Sequence, residues 1–219
     1  FLIKVLVDTR DPEKVTHPLA ELLRTLIFLQ ALGWQDQDDA DTHRNDPAMR
    51  LAVSERAGDG PLRSPDEDEV LPDGLASQPT LSRLVRMLST EENQAGLRAA
   101  LLEAAVRRLT LMRGGHRPRY ITIDVDSFPI EVQGHQAGSE YNGHYQCRCY
   151  HPLAAFCAET GDLLDLFLRP GNVHTADDAL SFILDLLDAL RGRYCQVVSL
   201  RCDAGFPEPK LLDGLDERH

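Results

Sequence analysis

No apolar run in this chain approaches the eighteen or so residues that a membrane helix needs, so the sequence offers no bilayer span. Basic charge is also scarce. Lys and Arg number 23 against 35 Asp and Glu, a formal net charge of −12, which argues against a general polyanion binder because phosphate contacts come chiefly from Lys and Arg. No signal peptide accompanies the five cysteines (Cys147, Cys149, Cys157, Cys195, Cys202), which are odd in number and crowded into the second half. That pattern points away from a disulfide framework and toward a reducing, cytoplasmic setting. Residue 1 is Phe rather than Met, and the closing "LLDGLDERH" stops partway through an apparent helix, so both ends read as cuts in a longer polypeptide.

What is present is ordinary for a globular protein: 42% hydrophobic and 26% charged residues, and enough chain for one large domain or two small ones. The charge is unevenly spread. Acids concentrate in "DQDDAD" (36–41) and "PDEDEV" (65–70), whereas "RRLTLMRGGHRPR" (107–119) is basic. The character of the chain changes at Gly114-Gly115. Upstream, Leu19, Leu22, Leu23, Leu26, Ile27 and Leu29 recur at helical spacing, "PTLSRLVRML" opens a shorter helix after Pro79, and "NQAGLRAALLEAAVRRLTLM" forms a third. Residues 1–113 thus read as a mainly helical region, interrupted at 54–74 by a mobile acidic loop rich in Gly and Pro.

Residues 114–219 read as α/β. Strands are predicted at 120–126, 152–158, 163–169 and 196–201, with a helix from Ala176 to Arg191 capped by Thr175 and carrying the stripe Leu180, Ile183, Leu184, Leu187, Leu190. In "ITIDVDSFPI", Ile121, Ile123 and Val125 share one face of the first strand, and Thr122, Asp124 and Asp126 the other. Asp203 follows the fourth strand in "RCDAGF". If the first and fourth strands are parallel neighbours, Asp126 and Asp203 meet at their carboxyl ends, where open α/β sheets bind ligands. Two carboxylates at one spot repel unless a cation sits between them, and oxygen donors suit Mg²⁺ or Mn²⁺. Asp124 lies on the same face but deeper, a less favoured ligand whose loss should harm stability more than chemistry. A bland alternative has Asp124 or Asp126 simply capping a turn before Pro129.

Other motifs carry two readings each. Cys147, Cys149, His151 and Cys157 in "CRCYHPLAAFC" could ligate zinc, but the paired spacing of a zinc knuckle is missing, and buried thiols are the plainer reading. In "YNGHY", Tyr141, Asn142 and His144 could stack on or bond to a DNA end, or form a glycine turn with packed tyrosines. Arg113, Arg117 and Arg119 could track a DNA backbone, or belong to a solvated face. Asn172 and His174 could touch phosphate, although shaping the start of the following helix is the favoured role.

The block "GHQAGSEYNGHYQCRCYHPLAAFCAETGDLLDLFLRPGNVHTADDA", with "DVDS" before it and "RCDAGF" after it, resembles the DDE transposases of bacterial insertion sequences, specifically the thirteen-eighty insertion-sequence group. "HPLAELLRTLIFLQALGWQDQDDADTHRNDPAMRLAV" and "LASQPTLSRL" extend the resemblance over nearly the whole chain apart from 54–74. It implies a ribonuclease H-like core that, with Mg²⁺ or Mn²⁺, cuts double-stranded DNA at transposon ends and joins the freed 3′-hydroxyl to target DNA by two-metal phosphoryl transfer. It further implies a homodimer on paired ends, acting in the bacterial cytoplasm at the nucleoid. The family's first and second catalytic aspartates fall on Asp126 and Asp203. Phe128 stands where Thr is common and Ala204 where Ser is common. The third acid, a Glu, is expected on a later helix and absent from this chain, since Glu208 and Glu217 follow Asp203 too closely; residues 1–219 alone should then be inactive. The rival readings are a non-catalytic DNA-binding or assembly protein derived from a transposase, and a metal-dependent nuclease that does not join strands.

Overall fold

The structure is a computed structural model describing residues 1–34, 36–55, 74–191 and 194–217. The acidic loop expected at 54–74 lies outside these residues apart from Ser54, Glu55 and Gly74. Two compact units divide the chain, Phe1–Leu97 and Arg98–His219. The boundary comes earlier than the composition change at Gly114-Gly115. The reason is a single helix: it runs through Glu91–Met112, and its Leu102, Ala105, Val106 and Leu109 are buried in the core of the second unit.

The first unit is helical, as expected. It contains α1 (Leu2–Val5), a 3₁₀ turn at Pro12–Lys14, α2 (Leu19–Ala31), α3 (Asp39–His43), α4 (Pro47–Val53), α5 (Gln78–Leu88) and the start of α6 (Glu91–Met112). Leu19, Leu22, Leu23 and Leu29 form the buried stripe of α2 and pack with Val53, Leu81 and Leu84. Asp46 caps α4, its Oδ1 accepting from Met49 N at 2.8 Å, and Pro47 fills the first helical position where no N–H is needed.

The second unit is a mixed α/β structure with β1 (Tyr120–Ser127), β2 (Ile130–Glu131), β3 (Glu140–Asn142), β4 (Cys147–Tyr150), β5 (Leu153–Cys157), β6 (Leu163–Phe167), α7 (Ala179–Leu190), β7 (Val197–Cys202) and α8 (Pro209–Asp216). The main sheet has the order β6-β5-β1-β7. β1 is antiparallel to β5 and parallel to β7, so the first and fourth predicted strands are indeed parallel neighbours. Alternation along β1 works as read: Ile121, Ile123 and Val125 are buried against Leu102 and Val106 of α6 and Phe182, Ile183 and Leu186 of α7, while Thr122, Asp124 and Asp126 are more exposed.

Two local expectations are corrected. A second sheet, β2-β4-β3, occupies the stretch between β1 and β5, where no strand is predicted from the sequence; its strands are only two to four residues long, too short for an alternating pattern to register. Helix α7 begins at Ala179 rather than Ala176, and Thr175 does not cap it. The N-cap is Asp178, held in a left-handed conformation at φ 59° with no side-chain cap. Residues before it are shaped by His174 and Asp177, whose Oδ2 accepts from His174 N at 2.7 Å. Among the described residues no helix is long and apolar enough to cross a membrane.

Candidate active site

The register of β1 and β7 sets Val125 beside Cys202. Asp126 is the next residue of β1 and Asp203 the first residue after β7, so both acids stand at the carboxyl ends of the parallel pair. Both residues are exposed. Asp126 Oδ1 accepts from Ser127 N at 2.7 Å, and Asp203 Oδ1 from Gly205 N at 2.9 Å. Each carboxylate is therefore oriented by its own turn, with an oxygen left over. The loop bearing Asp203 is anchored by Phe206, which is completely buried in the core.

Three residues that the sequence reading placed elsewhere or left aside surround this pair. Thr175 Oγ1 lies 3.3 Å from Ser127 Oγ. The same side chain stands against Gly205, where an added Cβ would come within 3.4 Å of Thr175 Cγ2 and 3.2 Å of Asp203 Oδ1. Thr175 thus links the surroundings of both acids. Arg169, only 2% exposed, holds the backbone leading into α7: its Nε donates to His151 O at 2.9 Å, and its Nη1 to the carbonyls of His174, Thr175 and Asp177. His151 is also buried, with Nδ1 3.2 Å from Val173 O and Nε2 without a hydrogen-bond partner among the described residues. Burial pushes its imidazole below the ordinary pKa, the charges of Arg169 and His174 add to that, and the bond to Val173 and the negative charge of Asp126 work against it. His174, favoured as a shaper of the helix start, fills that role, its Nδ1 accepting from Ala176 N at 3.3 Å.

The remaining candidates fall into place around this centre. Asp124 lies deeper than Asp126, as expected, and it is engaged by Arg201 of β7 in a bidentate pair at 2.6 and 2.7 Å. That hydrogen-bonded guanidinium holds its carboxyl below the usual range and occupies both of its oxygens. Asn142, for which a DNA contact and a glycine turn are the two readings, is buried: Nδ2 donates to Gly171 O at 2.6 Å, while Oδ1 accepts from His144 N at 2.9 Å and Tyr145 N at 3.1 Å, bonds that fix the β3–β4 turn. Tyr141 and His144 remain exposed. Arg113, Arg117 and Arg119 are exposed too, but at the opposite end of β1. Seven residue steps from Arg119 to Asp126 at about 3.3 Å each span roughly 23 Å, close to seven base pairs of duplex.

The cysteines do not assemble. Cys147 and Cys149 lie in the small sheet and Cys157 in the main one, where its Sγ donates to Glu159 Oε2 at 3.2 Å. Burial raises the thiols of Cys149, Cys157, Cys195 and Cys202, the opposite of what a thiolate ligand requires. Among the described residues no three His, Cys, Asp or Glu side chains are grouped to hold a metal. Asp126 and Asp203 by themselves still fit Mg²⁺ or Mn²⁺, because Mg²⁺ is commonly held by one or two carboxylates with water and substrate phosphate completing the shell.

The family described as "Transposase DDE domain group 1" matches residues 1–219. The chain belongs to the DDE transposase family. Among solved structures, the chain is similar to the Mos1 transposase paired-end complex with left transposon end, at 16% sequence identity and a TM-score of 0.31. That match covers 97% of this chain, which spans 61% of the Mos1 chain. No curated protein matches the chain.

Proposed function

We propose that this DDE transposase carries part of a ribonuclease H-like catalytic core, of the bacterial thirteen-eighty insertion-sequence kind, that cleaves transposon-end DNA and joins it to a target. The single observation that supports this reading is the parallel pairing of β1 and β7, whose carboxyl ends carry Asp126 and, just beyond β7, Asp203. The strand order β6-β5-β1-β7 supports the core assignment.

In this reading Asp126 and Asp203 present hard oxygen donors to Mg²⁺ or Mn²⁺. When bound, the metal supplies a lowered pKa for the attacking water or 3′-hydroxyl and charge neutralisation at the leaving oxygen. The chain's own task is positioning. Ser127 N and Gly205 N fix one oxygen of each carboxylate, Thr175 ties the two loops, and Arg169 holds the Thr175 backbone in place. Attack at phosphorus forms one P–O bond and breaks another, so no covalent enzyme intermediate is needed. Asp124 is a structural group, because Arg201 takes both its oxygens.

The partner is double-stranded DNA, terminal repeat and target, bound by a homodimer in the bacterial cytoplasm. Tyr141 and His144 lie on an exposed hairpin, and Arg113, Arg117 and Arg119 precede β1, whose far end carries Asp126, so any DNA contact they make is expected away from the phosphate under attack. The test is metal-dependent nicking of end DNA by the full-length protein. D126N and D203N should each abolish it with folding intact, and unchanged nicking by D203N overturns the assignment.

A further inference from the structure

The helical unit contains a cavity of about 820 Å³, within the range of small-ligand sites. Its wall is apolar where Leu22, Leu84 and Met87 border it. Around it stand Arg10, Lys14, Arg83 and Arg86, with Asp11 and Glu92 the acidic members. Residues 1–97 hold ten Lys and Arg against eighteen Asp and Glu, so four of the ten bases gathered at one opening reverse the local charge. Arg10 is paired with Asp8 at 2.6 Å and Lys14 with Asp11 at 3.1 Å. Arg83 and Arg86 are exposed and have no side-chain partner among the described residues.

A second observation points to a ligand. His17, 8% exposed, also borders the cavity. Its Nδ1 lies 2.6 Å from Oε1 of the buried Glu21, whose Oε2 accepts from Ser54 Oγ at 2.5 Å. Burying a carboxylate costs several kcal/mol unless it is paired and bonded. Here that arrangement orients one imidazole and leaves its Nε2 without a protein partner among the described residues.

We propose that this cavity binds a nucleotide unit, with its phosphate at Arg83 and Arg86, its base against Leu22, Leu84 and Met87, and a base N–H donating to His17 Nε2, which is the acceptor nitrogen once Nδ1–H donates to Glu21. A simple anion has no use for the apolar wall, and a wholly apolar ligand would strip water from cations without replacing it. A nucleotide satisfies both. Two sources carry that chemistry, a free mononucleotide and an unpaired nucleotide within a DNA strand. The site belongs to the helical unit and does not depend on the reading of Asp126 and Asp203.

The experiment is calorimetric titration of the 219-residue chain with thymidine 5′-monophosphate, thymidine, inorganic phosphate and a short oligothymidylate. The monophosphate should bind saturably, with thymidine and inorganic phosphate each at least about tenfold weaker. R83Q/R86Q, at exposed positions that leave the fold intact, should weaken the monophosphate and the oligomer about tenfold or more, and H17Q should weaken both as well. Tighter binding of the oligomer than of the monophosphate assigns the strand as the source, and equal or weaker binding assigns the free nucleotide; either supports the site. No binding at millimolar monophosphate, equal affinity for thymidine and its monophosphate, or unchanged affinity in R83Q/R86Q overturns it.

Discussion

Ser127 Oγ and Thr175 Oγ1 lie 3.3 Å apart, which ties the residue following Asp126 to the loop that enters α7. Because Thr175 Cγ2 also stands against Gly205, beside Asp203, one side chain bears on both carboxylate turns. T175V keeps the shape and removes the hydroxyl. Its stability cost should be that of one hydrogen bond, about 1 kcal/mol in a urea titration. Metal-dependent DNA cleavage by the full-length protein should fall by about tenfold or more, since small displacements of reacting groups are expensive. A stability loss with no change in cleavage would make Thr175 purely structural.

Asn142 gives the opposite pattern. Its amide bonds to Gly171 O, His144 N and Tyr145 N are all inside the fold. N142A should destabilise the protein by about 2 kcal/mol, the cost of leaving such groups unsatisfied. DNA affinity of the folded variant should match that of the parent in an anisotropy titration. Loss of affinity at unchanged stability would restore Asn142 as a DNA contact.

How much of this was legible in the sequence follows from the range of the forces involved. The alternation of Ile121, Ile123 and Val125 with Thr122, Asp124 and Asp126 is a local property of one strand, and the fold preserves it. The parallel pairing of β1 with β7 followed from the order of the elements between them. Arg169 was not legible, because its partners are main-chain carbonyls of His151, His174 and Asp177 that any residues would supply. Nor was the pairing of Asp124 with Arg201, which depends on cross-strand register; Arg201 two residues before Asp203 was the available signal. Thr175 followed by Asp178 imitates a capping box, yet the chain uses Thr175 for Ser127 and starts the helix later.

His151 provides a pH signature. Burial is the first cause of its lowered pKa, so between that value and the unfolded one, about 6.5, the unfolded chain binds a proton that the folded chain does not. Its contribution is fully present above about pH 6.5 and is lost as pH falls toward the folded value. The difference in urea midpoint between the parent and H151Q should therefore shrink from pH 7.5 to pH 5.5. A difference that is constant or grows over that interval would contradict a buried neutral imidazole.

The central claim is that Asp126 and Asp203 form the metal site while Asp124 belongs to a surface ion pair. Mn²⁺ binding followed by electron paramagnetic resonance tests it directly, in the parent chain and in D124N, D126N and D203N. Each carboxylate is a direct oxygen donor in this account, so D126N and D203N should each weaken Mn²⁺ by about tenfold or more, with D124N close to the parent. Weakened Mn²⁺ in D124N together with parent-like binding in D126N and D203N would contradict it.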